Sequence, residues 1–103
     1  MNFDQAEIRA EIIKALAHPV RLIIVQKLKD GDLPFSQING EFEYDKSTVS
    51  KHLLVLKNAG IVSSKKIGGN VVYHIEMCCV NKFIDCVDSV LKQNIEKQQS
   101  CLL

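Results

Sequence analysis

The stretch Asp45-Lys46-Ser47-Thr48-Val49-Ser50-Lys51-His52-Leu53-Leu54-Val55-Leu56-Lys57-Asn58-Ala59-Gly60 decides how the rest of the chain is read. Val49, Leu53 and Leu56 recur at i, i+4 and i+7, the spacing that puts apolar side chains on one helical face. Asp45 is a good N-cap, because its carboxylate can accept the unpaired amides of a first turn. Gly60 is well placed to stop the helix. The spacing therefore predicts a helix over 46–59. Its outward N-terminal half carries Lys46, Ser47, Thr48, Ser50, Lys51 and His52. Short hydroxyls let a helix approach base edges closely and can donate or accept. Lys46 and Lys51 can reach phosphates, and a helix N-terminus itself favours an anion. An ordinary amphipathic surface helix would carry a similar pattern, so the flanking sequence has to discriminate.

Downstream, Ile61 to Ile67 and Val71 to Glu76 are β-rich runs around Gly68-Gly69-Asn70, which predicts a hairpin. Its first strand carries Lys65 and Lys66, a second place for phosphate contact. Upstream, Pro34 marks the start of a third helix, with Ile38 and Phe42 as its apolar positions and Gly40 weakening it. Pro19 starts a second helix with Leu22, Ile23, Val25 and Leu28, ending near Asp30-Gly31. Phe3 to Leu16 reads as a first helix through Ile8, Ile12, Ile13 and Leu16. After the hairpin, Cys79, Phe83, Cys86, Val87, Val90, Leu91 and Ile95 form the stripe of a last helix over about 78–98. The fold class is mainly α with a small β-hairpin, in the order ααααββα. That is the layout of a winged helix-turn-helix, with the helix at 46–59 as recognition helix and 61–76 as wing. One domain spans 1–103.

Charge is sorted along the chain. Residues 46–75 hold five of the 13 Lys and Arg residues and none of the 12 Asp and Glu, although formal net charge is only +1. An acid-free basic block is the footprint expected of a phosphate-binding surface. A soft-ion or thiol carrier has no need of such sorting. No nucleophile–base arrangement or phosphate-cradling glycine loop is apparent, so an enzyme is not expected. A winged helix that binds protein in place of DNA stays open. Asp4, Glu7 and Glu11 interrupt the N-terminus, and no apolar run approaches the ~20 residues needed to cross a bilayer. The expectation is a cytoplasmic protein with no membrane partner, whose four cysteines are free thiols.

Two segments carry a specific likeness: Leu16-Ala17-His18-Pro19-Val20-Arg21-Leu22, and Ser47-Thr48-Val49-Ser50-Lys51-His52-Leu53 continuing through Leu56-Lys57-Asn58-Ala59-Gly60-Ile61-Val62. With the hairpin ending Val72-Tyr73, they resemble the ArsR/SmtB family of bacterial and archaeal repressors over roughly residues 8 to 76. The resemblance implies a homodimer packed through its first and last helices. It implies a recognition helix, matching Lys46 to Ala59, in the major groove of double-stranded operator DNA, and repression released by an inducer. By the same likeness His18 is structural and His52 a DNA or helix-face residue, while His74 reads as plain surface; none has a partner at metal-ligand spacing.

The likeness also constrains the inducer. The family's third-helix motif Glu-Leu-Cys-Val-Cys-Asp-Leu falls on Asp32-Leu33-Pro34-Phe35-Ser36-Gln37-Ile38, so Pro34 and Ser36 stand at the cysteine positions and that site is absent. The family's other site needs histidines in the last helix, which has none. Cys78, Cys79, Cys86 and Cys101 remain. Thiolates suit soft ions, and some family members bind trivalent arsenic through a C-terminal Cys-Cys pair and a nearby third cysteine. Cys78-Cys79 with Cys86, or with Cys101 folding back, is similar. No cofactor is expected to be required, and As(III) or Sb(III) is the candidate inducer. Neighbours on a regular helix point about 100° apart, which makes a shared site depend on an unwound first turn or a second subunit. Thiol oxidation or persulfide sensing, and Cys79 and Cys86 as small core residues, stay open beside it.

Overall fold

The computed structural model describes residues 1–102, and side chains for residues 1–99. The side chain of Cys101 therefore lies outside those described. Five helices and a three-stranded sheet follow one another: α1 Phe3–Leu16, α2 Pro19–Lys27, a 3-10 turn Leu28–Asp30, β1 Leu33–Pro34, α3 Phe35–Asn39, α4 Lys46–Asn58, β2 Val62–Ile67, β3 Asn70–Ile75 and α5 Val80–Leu102. This is the mainly helical winged helix-turn-helix expected from the hydrophobic pattern.

Local chemistry sets the boundaries. Asn2 and Gln5 close a reciprocal capping box on α1. His18 caps α2, its Nδ1 accepting from the Val20 amide at 3.1 Å, and Pro19 occupies the first turn, where a missing N–H costs nothing. Asp45 accepts from the Thr48 amide at 3.0 Å and starts α4 at the position its sequence predicts. Gly68 and Gly69 have φ of 57° and 84°, the pair of positive values that a type I′ hairpin turn requires. The hairpin register runs from Val62 opposite Ile75 to Ile67 opposite Asn70.

Two expectations shift. Pro34 stands at the N-cap of α3, where its sequence predicts the helix to start, but it also has a second role. With Leu33 it forms a short strand, Leu33 opposite Tyr73 and Pro34 opposite Val72, making the sheet order β1-β3-β2. A proline is tolerated there because β1 is an edge strand. The last helix begins at Val80, not at Cys78. The Glu76 and Met77 amides both donate to the Ile61 carbonyl, at 2.9 and 3.2 Å, so the backbone ahead of α5 is committed to the sheet and turns sharply before the helix starts.

The core is built by α2 (Val20, Ile24, Val25), Leu28, Ile38 of α3, α4 (Val49, Leu53, Leu56), and Ile61 and Val62 at the entry to the wing. Each such side chain, fully buried, stabilises by ~1.5–3 kcal/mol. The outer helices contribute only where they touch this module: Ala15 and Leu16 at the end of α1, Val80 at the start of α5. No described helix is long and apolar enough to cross a membrane.

Candidate nucleic-acid interface

The face of α4 opposite Val49, Leu53 and Leu56 presents the residues singled out from sequence. Lys46, Ser47, Ser50 and Lys51 are exposed; Thr48 and His52 are half-buried. Anchoring one face in the core fixes the rotation of α4 about its axis, so these side chains point outward by construction. The Thr48 hydroxyl also donates to the Asp45 carboxylate. That bond and the Thr48 amide hold the Asp45 carboxyl below the usual carboxylate range.

His52 is engaged inside the protein. Its Nδ1 accepts from Arg21 Nε at 3.2 Å, and its ring lies 4.3 Å from the His18 ring at a 42° tilt. Arg21 also donates through Nη1 to the Ala15 carbonyl, 3.3 Å away. Burial first, then the charges of His18 and Arg21, push the His52 pKa below its ordinary value. With Nδ1 accepting, the neutral ring carries its proton on Nε2. Arg21 thus ties the end of α1 and the body of α2 to α4. Sequence reasoning missed this role; an arginine set between Val20 and Leu22 in an otherwise apolar turn was the available signal.

The wing carries the second set of candidate residues. Lys65 and Lys66 are exposed on β2, opposite Val72 and Val71. Lys57 at the end of α4 donates to Ser64 Oγ at 2.9 Å and braces the wing base. His74 pairs with Asp32 at 2.6 Å, holding β3 to the segment that enters β1. A groove of about 370 Å³ runs between α3, α4 and the wing turn, lined by Ser36, Ser50, Asn70 and Tyr73 among others. Ser36 and Asn70 were not among the DNA-contact candidates read from sequence; only the packing of the wing turn beside α3 brings them to this groove.

The thiols fall in two places. Cys78 and Cys79 are exposed in the turn before α5, with their Sγ atoms 3.6 Å apart. Cys86 is exposed on α5 itself. None of the three is a core side chain. Among the described residues, no three His, Cys, Asp or Glu side chains gather at a metal-binding distance.

Comparison with known proteins agrees with this arrangement. The family model described as bacterial regulatory protein, arsR family, matches residues 18–64. The uncharacterized HTH-type transcriptional regulator MJ1325 of Methanocaldococcus jannaschii is 36% identical over 84% of this chain and 99% of its own length. The HTH-type transcriptional repressor SmtB of Mycobacterium tuberculosis is 34% identical over 63% of this chain, which spans 48% of that protein. The solution structure of the homodimeric winged helix-turn-helix DNA-binding domain of Mb0332 from Mycobacterium bovis superposes with a TM-score of 0.76, at 26% identity, over 94% of this chain and 93% of that one. These relatives are regulators and not enzymes, and the chain belongs to the arsR family of winged helix-turn-helix, DNA-binding transcriptional regulators.

Proposed function

We propose that the chain is a homodimeric repressor that reads operator DNA through α4 and the wing, and that an inducer at the cysteines beyond the wing releases it. The observation that carries this reading is the placement of the acid-free block. Lys46, Ser47, Ser50 and Lys51 on α4 and Lys65 and Lys66 on β2 are all exposed, while the opposite face of α4 is locked in the core. Thr48 and His52 border that surface from half-buried positions and shape it more than they extend it.

A dimer is supported by α1 and α5. Ile8 and Ile13 on the first helix, and Phe83, Val87, Val90, Leu91 and Ile95 on the last, are exposed apolar side chains at helical spacing. Two such chains would set two recognition helices for successive major grooves, about 34–36 Å apart, on a short imperfect palindrome. The whole chain, 1–103, then acts as one winged helix-turn-helix unit in the cytoplasm. Repression is the activity for which the SmtB relative is named.

For the inducer, the exposed Cys78–Cys79 pair offers two soft donors side by side to As(III) or Sb(III). Cys86 lies farther along α5, so its thiolate joins only if α5 shifts or a second subunit supplies it. An ion that needs the shifted helix binds that state better, and so shifts the population toward it.

The test is an anisotropy titration of the reduced protein against DNA from its own upstream region, with and without arsenite. Tight binding released by arsenite is the expected result; binding that ignores arsenite removes the metalloid inducer. Substituting Lys65 and Lys66 by Ala should weaken all DNA binding and lower the salt slope by roughly 1 for each phosphate that a lysine no longer neutralises. An unchanged slope removes the wing from the interface.

A further inference from the structure

We propose that Cys78 and Cys79 close a reversible disulfide with each other, making the turn between wing and α5 a site of oxidative modification. Sequence neighbours seldom bring their side chains together. On a helix they diverge by about 100°, and on a strand they point to opposite faces. Here the pair escapes both patterns because it occupies a turn, and the two Sγ atoms meet at 3.6 Å.

Fixed ends hold that turn. On one side the Met77 amide donates to the Ile61 carbonyl at 3.2 Å. On the other, Val80 is fully buried, its amide donates to the Met77 carbonyl at 3.1 Å, and Asn81 Nδ2 donates to the Val25 carbonyl at 3.2 Å. Only the two cysteines between these anchors are open to solvent, so both thiols are accessible to a small oxidant and to each other.

With a hydroperoxide as oxidant the steps balance. The Cys78 thiolate attacks a peroxide oxygen, the O–O bond breaks, and hydroxide leaves to take up the proton that Cys78 released. The product is a sulfenic acid on Cys78. The Cys79 sulfur then attacks the Cys78 sulfur, the S–O bond breaks, and the departing hydroxide takes the Cys79 proton. Two thiols and hydrogen peroxide become one disulfide and two waters. Hydrogen bonding with Cys78 raises the Cys79 pKa, and the same steps balance with the roles of the two sulfurs exchanged.

Adjacent Cα atoms stand about 3.8 Å apart, whereas disulfide-linked residues usually span about 4.4–6.8 Å. The ring is therefore strained, which makes it easy to reduce, as reversible regulatory disulfides are. The strain is relieved by twisting the turn. Val80 and Asn81, which seat α5 on α2, are the next residues to feel that twist. Disulfide formation is independent of the repressor reading; only its consequence for DNA rests on that reading.

The experiment treats the full reduced chain with a small excess of hydrogen peroxide, alkylates free thiols, and maps peptides by mass with and without dithiothreitol. Expected is a Cys78–Cys79 peptide lighter by two hydrogens and blocked to alkylation, restored by reductant, while Cys86 still alkylates. Pairing with Cys86 or between chains, or oxidation of single thiols without ring closure, overturns the proposal. In Cys78→Ser the blocked peptide should vanish. Amide exchange over residues 76–84 should quicken in the oxidised chain; unchanged exchange overturns the link to α5. Operator binding by the reduced chain, measured separately, reports on the repressor reading alone.

Discussion

Residues 18–76 and the two flanking helices treat their apolar side chains in opposite ways. In the central region the inward faces of α2 and α4 close on Ile38 and the entry to the wing, and Ile24, Val25, Ile38, Val49 and Leu56 are all fully buried. In α1, Ile8 is 68% exposed and Ile13 55%; in α5, Val90, Leu91 and Ile95 are each more than half exposed. Both outer helices are well formed, yet each touches the core only at the end nearest to it. One chain completes the winged helix-turn-helix core and leaves the outer helices unmatched. A long helix with an open apolar face is half of a packing arrangement. In this reading the second chain supplies the other half, and the spacing of two recognition helices becomes something that α5 controls.

The sharpest way to break that contrast is to charge the open face. Val87→Glu combined with Leu91→Glu places two carboxylates where the proposed partner packs. The variant should sediment as a folded monomer, because neither side chain belongs to the buried core. Operator affinity should fall by ~10²–10⁴-fold, the scale of losing a second tethered contact. A dimer that survives both substitutions would move the interface away from α5.

The complementary change falls in the closed region. Leu53 is 1% exposed and holds α4 in the core, so Leu53→Ala should cost ~2–5 kcal/mol in a urea unfolding titration. Ile95→Ala, on the open face, should change the unfolding of a monomeric variant by no more than ~0.5 kcal/mol. Equal costs at the two positions would mean that the closed and open regions are not distinct.

The same contrast explains what could be read from sequence. α4 was legible because its cap, Asp45, and its stripe, Val49-Leu53-Leu56, are local. The hairpin was legible because Gly68-Gly69 can occupy two positive-φ positions. β1 was not, since two residues that include a proline carry no period and acquire strand geometry only by lying beside Val72 and Tyr73. The start of α5 was misplaced for a similar reason: the apolar stripe includes Cys79, but the Ile61 carbonyl claims the preceding amides from far away in sequence. Lys46, Ser50, Lys51, Lys65 and Lys66 are exposed, as the helical spacing and the charge block suggested. The sharing of Arg21 between Ala15 and His52, and the meeting of the Cys78 and Cys79 sulfurs, are tertiary facts with no spacing to announce them.

The smallest effect expected is a pH dependence confined to the central region. His52 sits between the His18 ring and the Arg21 guanidinium, with Lys51 beside it in sequence, and its Nδ1 must stay unprotonated to accept from Arg21. Its folded pKa is lowered from the ordinary 6.5, by burial and then by those neighbouring charges. The folded state therefore binds fewer protons at this site than the unfolded state does. Stability from this site is fully present above 6.5 and is lost as pH falls through the lowered folded value. Across pH of about 8 to about 5, the wild-type chain should lose more unfolding free energy than His52→Gln, whose amide can still accept from Arg21 but does not titrate. Dimer dissociation measured over the same range should not distinguish the two proteins, because His52 lies on α4 and not on the open faces of α1 and α5. If the two chains lose stability in parallel, His52 binds protons equally in the folded and unfolded chains, and its contact with Arg21 does not tie the recognition helix to α1.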